Sequence, residues 1–227
     1  MTLPPLFPIA LRLDGESCLV VGGGPIAARK AASLLECGAV VTIVAPVTCE
    51  AIDRLRVKVV PRPYEAGDLQ GYRLVITTTG DVEIDHAVFR DAEAAGVLAN
   101  SADDPGACRF ILPAVIRRGP VMVAVSTSGT SPYLAGWLRD RIGKLVGPEF
   151  AVVAALLADA RRSIRATGAT TEGVDWASLV DDGLVALVAA GNEPEARRRV
   201  DQWVERQLGD GGRTGGSGRT GGGGQPD

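Results

Sequence analysis

The fold of this chain is decided by Ser17-Cys18-Leu19-Val20-Val21-Gly22-Gly23-Gly24-Pro25-Ile26-Ala27-Ala28-Arg29-Lys30. The first part of this stretch is apolar and favours a β-strand, whereas the last part favours a helix, and the glycines between them predict a tight turn. The spacing Gly22-x-Gly24-x-x-Ala27 fits the dinucleotide fingerprint. In that motif the first glycine permits the turn, the second lets the backbone approach a pyrophosphate, and Ala27 keeps the helix close to the strand.

Such a glycine motif also occurs in turns that bind no ligand, so its context matters. A second apolar strand, Val40–Val44, follows after one helix, as a βαβ unit requires. The free N–H groups and the positive dipole end of that helix would then face the phosphates. The context therefore favours a nucleotide site.

Further strands are predicted at residues 57–60, 74–78 and 97–100, and helices at 25–36 and 82–95. This alternation predicts an α/β fold with a parallel, doubly wound sheet of the Rossmann type. The fourth strand ends in small hydroxyl residues where the ligand crevice of such a sheet lies. The predicted cofactor-binding residues are Gly22, Gly23, Gly24, Pro25, Ile26, Ala27, Ala45, Pro46 and Thr78.

The character of the sequence changes after Pro105. Two apolar runs, 110–116 and 121–125, predict a hairpin whose faces are both covered, one of them by a second subunit. A hydroxyl-rich loop and a helix starting at Pro132 follow. We predict a dinucleotide-binding domain at 1–105, a dimerisation region at 106–146, a helical domain at 147–208 and a disordered glycine-rich tail at 209–227.

Composition restricts the function classes. The net charge of −3 and the lack of a basic stripe give no indication of nucleic-acid binding, and no apolar run is long enough to span a membrane. The four scattered cysteines indicate neither a disulfide framework nor a zinc site, so no metal site is predicted. Residues 1–10 contain no basic residue and do not resemble a signal peptide, which predicts a cytoplasmic protein.

The choice between NAD and NADP stays open from the residues alone. An acidic residue at the end of the second strand normally binds the adenosine ribose hydroxyls, but that position is Ala45-Pro46 here. Glu50 comes four residues later, and no arginine replaces the acid directly, although Arg54 and Arg56 follow soon after.

Several separate motifs together resemble precorrin-2 dehydrogenase, the dehydrogenase and ferrochelatase module of sirohaem synthase. They are Leu19-Val20-Val21-Gly22-Gly23-Gly24-x-x-Ala27-x-Arg29-Lys30, Leu34-Leu35-x-x-Gly38-Ala39-x-Val41-Thr42-x-Val44-Ala45-Pro46, Asn100-x-x-Asp103-x-Pro105, Phe110-Ile111-x-Pro113 and Val123-Ala124-Val125-Ser126-Thr127-Ser128-Gly129-Thr130-Ser131-Pro132. The resemblance covers residues 6–146 in unbroken order. The chain departs from the family pattern at Asp85-His86, where an asparagine is common, and at Gly80.

The resemblance implies NAD-dependent oxidation of precorrin-2 to sirohydrochlorin, followed in some members by ferrous iron insertion. It also implies a homodimer and a catalytic aspartate at Asp103, which physically suits a proton acceptor beside a nicotinamide. The substrate is a tetrapyrrole with many carboxylates, which a hydroxyl loop at a helix N-terminus would bind. The predicted substrate-binding residues are Ser126, Thr127, Ser128, Gly129, Thr130 and Ser131.

Other interpretations stay open. Taken alone, Asp103 is typical of a turn, and Asp104 competes with it as the reactive carboxylate. The fold also suits a nucleotide-sensing regulatory module or a chelatase that has lost oxidation. The length leaves no room for the methyltransferase domain of multifunctional family members, so a separate enzyme would be expected to supply precorrin-2.

Overall fold

A computed structural model of the chain describes residues 5–102 and 104–211. The predicted catalytic residue Asp103 and most of the predicted glycine-rich tail lie outside the described residues. The chain forms two compact units. One contains the residues up to Pro113 together with Ser126–Pro132, and the other contains Ala114–Val125 and the residues from Tyr133 onward. The domain boundaries predicted from the sequence stay a prediction.

The first unit is built on a parallel five-stranded sheet with the order β3-β2-β1-β4-β5. Its strands are β1 (Ser17–Val21), β2 (Val40–Val44), β3 (Lys58–Val60), β4 (Leu74–Thr77) and β5 (Leu98–Ser101). Its helices are α1 (Pro25–Glu36), α2 (Glu50–Asp53) and α3 (Val82–Ala95), and a short 3₁₀ turn spans Pro105–Ala107. The predicted α/β fold, its five strands and the bounds of its two main helices are confirmed.

Alternation along β1 explains why helices cover both faces of this sheet. Successive side chains of a strand point to opposite faces. Val20 packs in a core with Ala27 and Ala31 of α1, whereas Leu19 packs in a second core with Val88 of α3. All five side chains are fully buried, so β1 is the central strand in packing as well as in position.

Local signals fix the ends of α3. The carboxylate of Asp81 accepts hydrogen bonds from the backbone N–H groups of Glu83 and Ile84, which caps the first turn. Gly96 ends the helix with a φ of 68°, a left-handed conformation that glycine adopts without steric cost. The start of α3 is thereby held directly after the end of β4.

The second unit contains an antiparallel hairpin, β6 (Ala114–Arg118) with β7 (Val121–Val125), and three helices that share one apolar core. These are α5 (Glu149–Ala166), α6 (Asp182–Ala189) and α7 (Glu193–Gly211), while α4 (Pro132–Gly143) follows the hydroxyl loop. A helical pattern was predicted from Gly147 to Leu208, with one new helix start between Asn192 and Pro194. That start is confirmed at Glu193, but residues 167–181 are irregular apart from a short 3₁₀ turn at Trp176–Ser178.

The hairpin is confirmed, but its first strand begins at Ala114 and not at Phe110. Phe110 packs against the core of the first unit, and its carbonyl oxygen accepts a hydrogen bond from Asn100 Nδ2 at 2.8 Å. Pro113 lacks the N–H group that a ladder needs. In the single chain β7 alternates between half-buried and exposed residues up to Val125, so the predicted cover of one hairpin face by a second subunit stays a prediction.

Among the described residues, no helix combines the length and the apolar composition needed to cross a membrane.

Val88 and Val82 of α3 provide a matched test of this packing, because Val88 is fully buried and Val82 is 61% exposed. We expect Val88→Ala to lower the free energy of unfolding by about 2 kcal/mol, since it removes buried apolar volume and leaves a cavity. Val82→Ala should change it by less than about 0.5 kcal/mol. Urea denaturation of both variants measures the difference, and equal losses would contradict the packing described.

Candidate functional site

The candidate site lies where the carboxyl ends of the central strands meet. Gly22 N–H donates to the Val44 carbonyl at 3.0 Å, and Thr78 N–H donates to the Val21 carbonyl at 2.8 Å. β1 connects through α1 to β2 on one side, while β4 lies on its other side, so the strand order reverses here. In open α/β sheets, ligands bind in the crevice outside the strand ends at this switch point.

The three glycines of the turn are required for three different reasons. Gly22 has a φ of 122°, and a Cβ atom there would lie 2.6 Å from Thr78 Oγ1. A Cβ on Gly23 would overlap the carbonyl oxygen of Val47. A Cβ on Gly24 would meet no atom within 4 Å, so it would project into open space in front of α1. Gly24 is therefore the position at which a side chain would occupy ligand space.

The same contacts separate the roles of the three glycines. A bulky residue at Gly22 would collide with Thr78, directly after β4. Gly22 and Gly23 therefore allow the turn to approach its protein neighbours, whereas Gly24 faces open space.

The N-terminus of α1 fits an anion. Among the described residues no side chain caps this helix, and its first turn contains no acidic residue. The first helical hydrogen bond runs from Ala28 N–H to the Gly24 carbonyl. The N–H groups of Ile26 and Ala27 come before this bond, where an α-helix offers them no carbonyl partner of its own. Pro25 has no N–H to satisfy, and the helix dipole adds partial positive charge. This end of the helix can bind the pyrophosphate of a dinucleotide.

The end of β2 lies against the same turn. Ala45 is buried, and its N–H donates to the Val60 carbonyl at 3.2 Å, whereas Pro46 is exposed. Cys49 N–H donates to the Gly23 carbonyl at 2.8 Å, which ties the segment after β2 to the glycine turn. The structure thus brings the predicted cofactor-binding residues together at one sheet edge.

The segment after β5 contains Asp104, the competitor of Asp103. One carboxylate oxygen of Asp104 lies 2.8 Å from His86 Nε2, and the other accepts a hydrogen bond from Gly106 N–H at 2.8 Å. The hydrogen bond from His86 and then that from Gly106 lower the pKa of Asp104 below its ordinary value. The Asp104 carboxylate is therefore engaged by its own loop and is a weaker base than an unperturbed aspartate.

A buried carboxylate beside this segment was missed by the sequence analysis. Asp85 of α3 is 3% exposed, and its carboxylate accepts hydrogen bonds from the hydroxyl groups of Thr77, Thr79 and Ser101. The hydroxyl run at the end of β4 was the available signal, but these partners come together only in the folded sheet.

The hydroxyl loop 126–131 belongs to the first unit and forms a compact turn. Thr127 Oγ1 accepts the Ser131 N–H and donates to the Ser131 carbonyl, each at 3.0 Å, while Ser126 Oγ accepts the Ser128 N–H at 3.1 Å. Ser128 has a positive φ of 54°, and Gly129 has one of 81°. Several of these hydroxyls thus shape the loop, and their predicted contact with substrate stays a prediction.

Over the described part of the chain, no three histidine, cysteine, aspartate or glutamate side chains form a group that could hold a metal ion.

The parallel sheet, the switch point and the uncapped N-terminus of α1, with open space at Gly24, are typical of dinucleotide-binding proteins of the Rossmann class. Residues 9–114 match a family model described as NAD(P)-binding, which confirms the predicted nicotinamide dinucleotide cofactor. Residues 118–145 match a second model, described as the central part of sirohaem biosynthesis protein. These matches confirm the resemblance to the precorrin-2 dehydrogenase module of sirohaem synthase that the sequence indicated.

Individual relatives agree with this assignment. The siroheme synthase of Methylobacillus flagellatus is 35% identical over 201 residues, which cover 86% of this chain and 43% of the relative. That of Methylococcus capsulatus is 43% identical over 162 residues, or 70% of this chain and 34% of the relative. The chain thus spans less than half the length of these siroheme synthases.

The fold also matches a solved structure. SirC, precorrin-2 dehydrogenase, superimposes with a TM-score of 0.64 at 23% sequence identity, over 88% of this chain and 100% of that one. At this identity the match supports the fold, and it confirms the predicted combination of a doubly wound sheet, a hairpin and a helical part.

Substitution of Gly24 tests where the dinucleotide binds. Gly24 has an extended backbone with a φ of −84°, so Gly24→Val should fold, with a small loss of Tm because valine is a poorer N-cap than glycine, while its side chain fills the open space. We expect the Kd for NAD, measured by calorimetry, to rise by at least about tenfold, because the pyrophosphate loses its approach to the helix. Gly209→Val, also in open space, is the control. Undiminished NAD affinity in the Gly24 variant would place the cofactor elsewhere.

Proposed function

We propose that this chain catalyses the NAD-dependent dehydrogenation of precorrin-2 to sirohydrochlorin in sirohaem biosynthesis. The observation that carries the proposal is the glycine turn before the uncapped N-terminus of α1, with open space at Gly24, in a chain that is similar to siroheme synthases and whose sequence has Asp103 two residues after β5. The resemblance to precorrin-2 dehydrogenase supplies the substrate.

The reaction removes a hydride and a proton from the substrate. NAD, when bound, supplies the hydride acceptor. We assign the proton to the Asp103 carboxylate, which acts as the general base. Asp104 suits this role less well, because His86 and Gly106 already engage its carboxylate and lower its pKa.

The surroundings of β2 support NAD over NADP. A basic side chain near the ribose normally accommodates the 2′-phosphate of NADP. Arg62 follows β3, the neighbour of β2, but its guanidinium is bound by both carboxylate oxygens of Asp68, at 2.8 and 2.6 Å. The bond from Arg62 lowers the pKa of Asp68, so Asp68 stays ionised and keeps the arginine engaged.

Precorrin-2 carries many carboxylates, and we assign some of them to the hydroxyl loop 126–131. This loop immediately precedes α4, whose N-terminus offers backbone N–H groups and a positive dipole. Internal hydrogen bonds of Thr127 preorganise the loop and so reduce the entropy lost when an anion binds.

We also propose that the protein is a homodimer that uses α4. Among the residues of α4, all of which are described, Ala135 is the one that is buried. Tyr133, Leu134 and Trp137 are 84%, 44% and 46% exposed. An apolar face of this kind is typical of a protein interface. A cytoplasmic location is part of the same proposal, since the four cysteines form no disulfide within the described residues.

Anaerobic turnover of freshly generated precorrin-2 tests the activity, with NADH and sirohydrochlorin followed together. Asp103→Asn should lower kcat by at least about 100-fold, because it removes the general base, and should leave the Kd for NAD unchanged. Asp104→Asn is the matched control, since an asparagine can still cap the 3₁₀ turn, and should retain kcat within about threefold.

The pattern of results separates the alternatives. If the unmodified protein binds NAD but forms no NADH from precorrin-2, the dehydrogenase proposal fails and a regulatory module is favoured. Addition of ferrous iron to sirohydrochlorin, without NAD, then detects a chelatase. Turnover that survives Asp103→Asn and is lost in Asp104→Asn would reverse the two aspartate roles.

The dimer is tested at Trp137. Trp137→Glu introduces a charge into the exposed apolar face of α4, so we expect the mass measured by light scattering to fall from that of two chains to that of one. Phe7→Glu is the control, because Phe7 is 87% exposed and lies in the other unit. A monomeric unmodified protein, or a dimeric Trp137 variant, would contradict the proposed interface.

A further inference from the structure

We propose that Asp85 and Ser101 are positioning residues that hold the loop carrying Asp103 at the strand ends. The inference rests on the proposed function, because it assigns to the pair a role in the reaction rather than in folding alone. Neither residue belongs to the cofactor or substrate set predicted from the sequence.

Asp85 links three chain segments through one buried carboxylate. Its Oδ1 accepts hydrogen bonds from the hydroxyls of Thr77, the last residue of β4, and of Thr79, the latter at 2.5 Å. Its Oδ2 accepts a hydrogen bond from Ser101 Oγ, at the end of β5, at 3.3 Å. A buried carboxylate is tolerated only when such donors replace its water, so the three hydroxyls and Asp85 stabilise one another.

Ser101 connects the Asp85 carboxylate to the loop that follows β5. Its Oγ donates to Asp85 and accepts the backbone N–H of Asp104 at 3.2 Å. On the other side, the N–H of Ala102 donates to the Thr77 carbonyl at 3.0 Å. The residues immediately before and after Asp103 are therefore both hydrogen-bonded to this cluster.

A second tie comes from the residue next to Asp85. His86 Nε2 lies 2.8 Å from the Asp104 carboxylate, so two consecutive residues of α3 hold the same loop. Cys108 also contacts this loop, since its Sγ atom lies 3.3 Å from the Ser101 nitrogen and 3.3 Å from the Asp104 carbonyl oxygen. The arrangement holds Ala102 and Asp104, the residues on either side of Asp103, from the helix side and from the strand side.

Such a fixed loop has a chemical use. A general base must lie within hydrogen-bond reach of the proton that it removes, and a displacement of about 1 Å can cost about 100-fold in rate. A carboxylate on a loop meets this condition when buried neighbours restrain the loop. Asp85 and Ser101 provide this restraint without contacting the substrate themselves.

Ser101→Ala removes the link between Asp85 and the Asp104 N–H, while the backbone contacts of Ser101 with Cys108 can persist. We expect kcat to fall about tenfold with unchanged Kd for NAD, and hydrogen exchange of the Asp104 amide to become about tenfold faster. Ser17→Ala is the matched control, because Ser17 is the first residue of β1 and lies at the amino ends of the parallel strands, away from the loop at their carboxyl ends. It should change neither quantity.

Two further variants separate positioning from a merely structural role. Asp85→Asn keeps an acceptor for the threonines and can donate to Ser101, so it should retain kcat within about threefold, whereas Asp85→Ala should lose activity as Ser101→Ala does. When Asp103→Asn is already present, Ser101→Ala should lower the residual kcat no further, because it acts through Asp103.

Failure of this proposal is distinct from failure of the proposed function. An unmodified protein without dehydrogenase activity overturns the function. An active protein in which Ser101→Ala keeps its kcat, or in which the Asp104 amide exchanges as slowly as before, overturns the positioning role. A full tenfold loss on top of Asp103→Asn also overturns it, because Ser101 would then act independently of the base.

Discussion

The close approach of the β1–α1 turn to the end of β4 is the constraint on which the first unit depends. Gly22 stands so near Thr78 that a single added carbon would collide with it, and Gly23 is equally close to Val47. Because both neighbours are backbone or short side chains, the strands could not separate to make room without breaking the sheet. The same contacts bring the carboxyl ends of β1, β2 and β4 to one edge, where a dinucleotide can reach the N-terminus of α1.

Much of this architecture could be predicted because its signals are local. Apolar runs indicated the five strands, and the predicted ends of α1 and α3 agree with the structure, where Gly38 and Gly96 follow them with a positive φ. The hairpin was misjudged at Phe110, since its apolar side chain packs in the other unit, and an apolar run alone does not reveal which core it joins. The irregular segment at residues 167–181 was also missed, because the pattern of this region was interpreted as helical throughout.

The candidate site was predictable in outline but not in its hydrogen bonds. The fingerprint identified the turn, yet the separate duties of Gly22, Gly23 and Gly24 depend on neighbours distant in sequence. The partners of Asp85 lie up to sixteen positions away, on two strands that only the fold brings together. His86 is the single histidine of the sequence, and in the structure its Nε2 lies 2.8 Å from the Asp104 carboxylate and lowers the pKa of that aspartate.

The pair formed by Arg62 and Asp68 has an evolutionary consequence. A cation is already present shortly after β3, the neighbour of β2, but a nearby carboxylate neutralises it. Asp68 is one of several partners of this arginine, since Arg62 also lies 3.8 Å from the Glu65 carboxylate and donates to the Pro63 carbonyl at 2.9 Å. A lineage that turned this cation toward a 2′-phosphate would therefore have to lose these contacts as well as the acid at position 68.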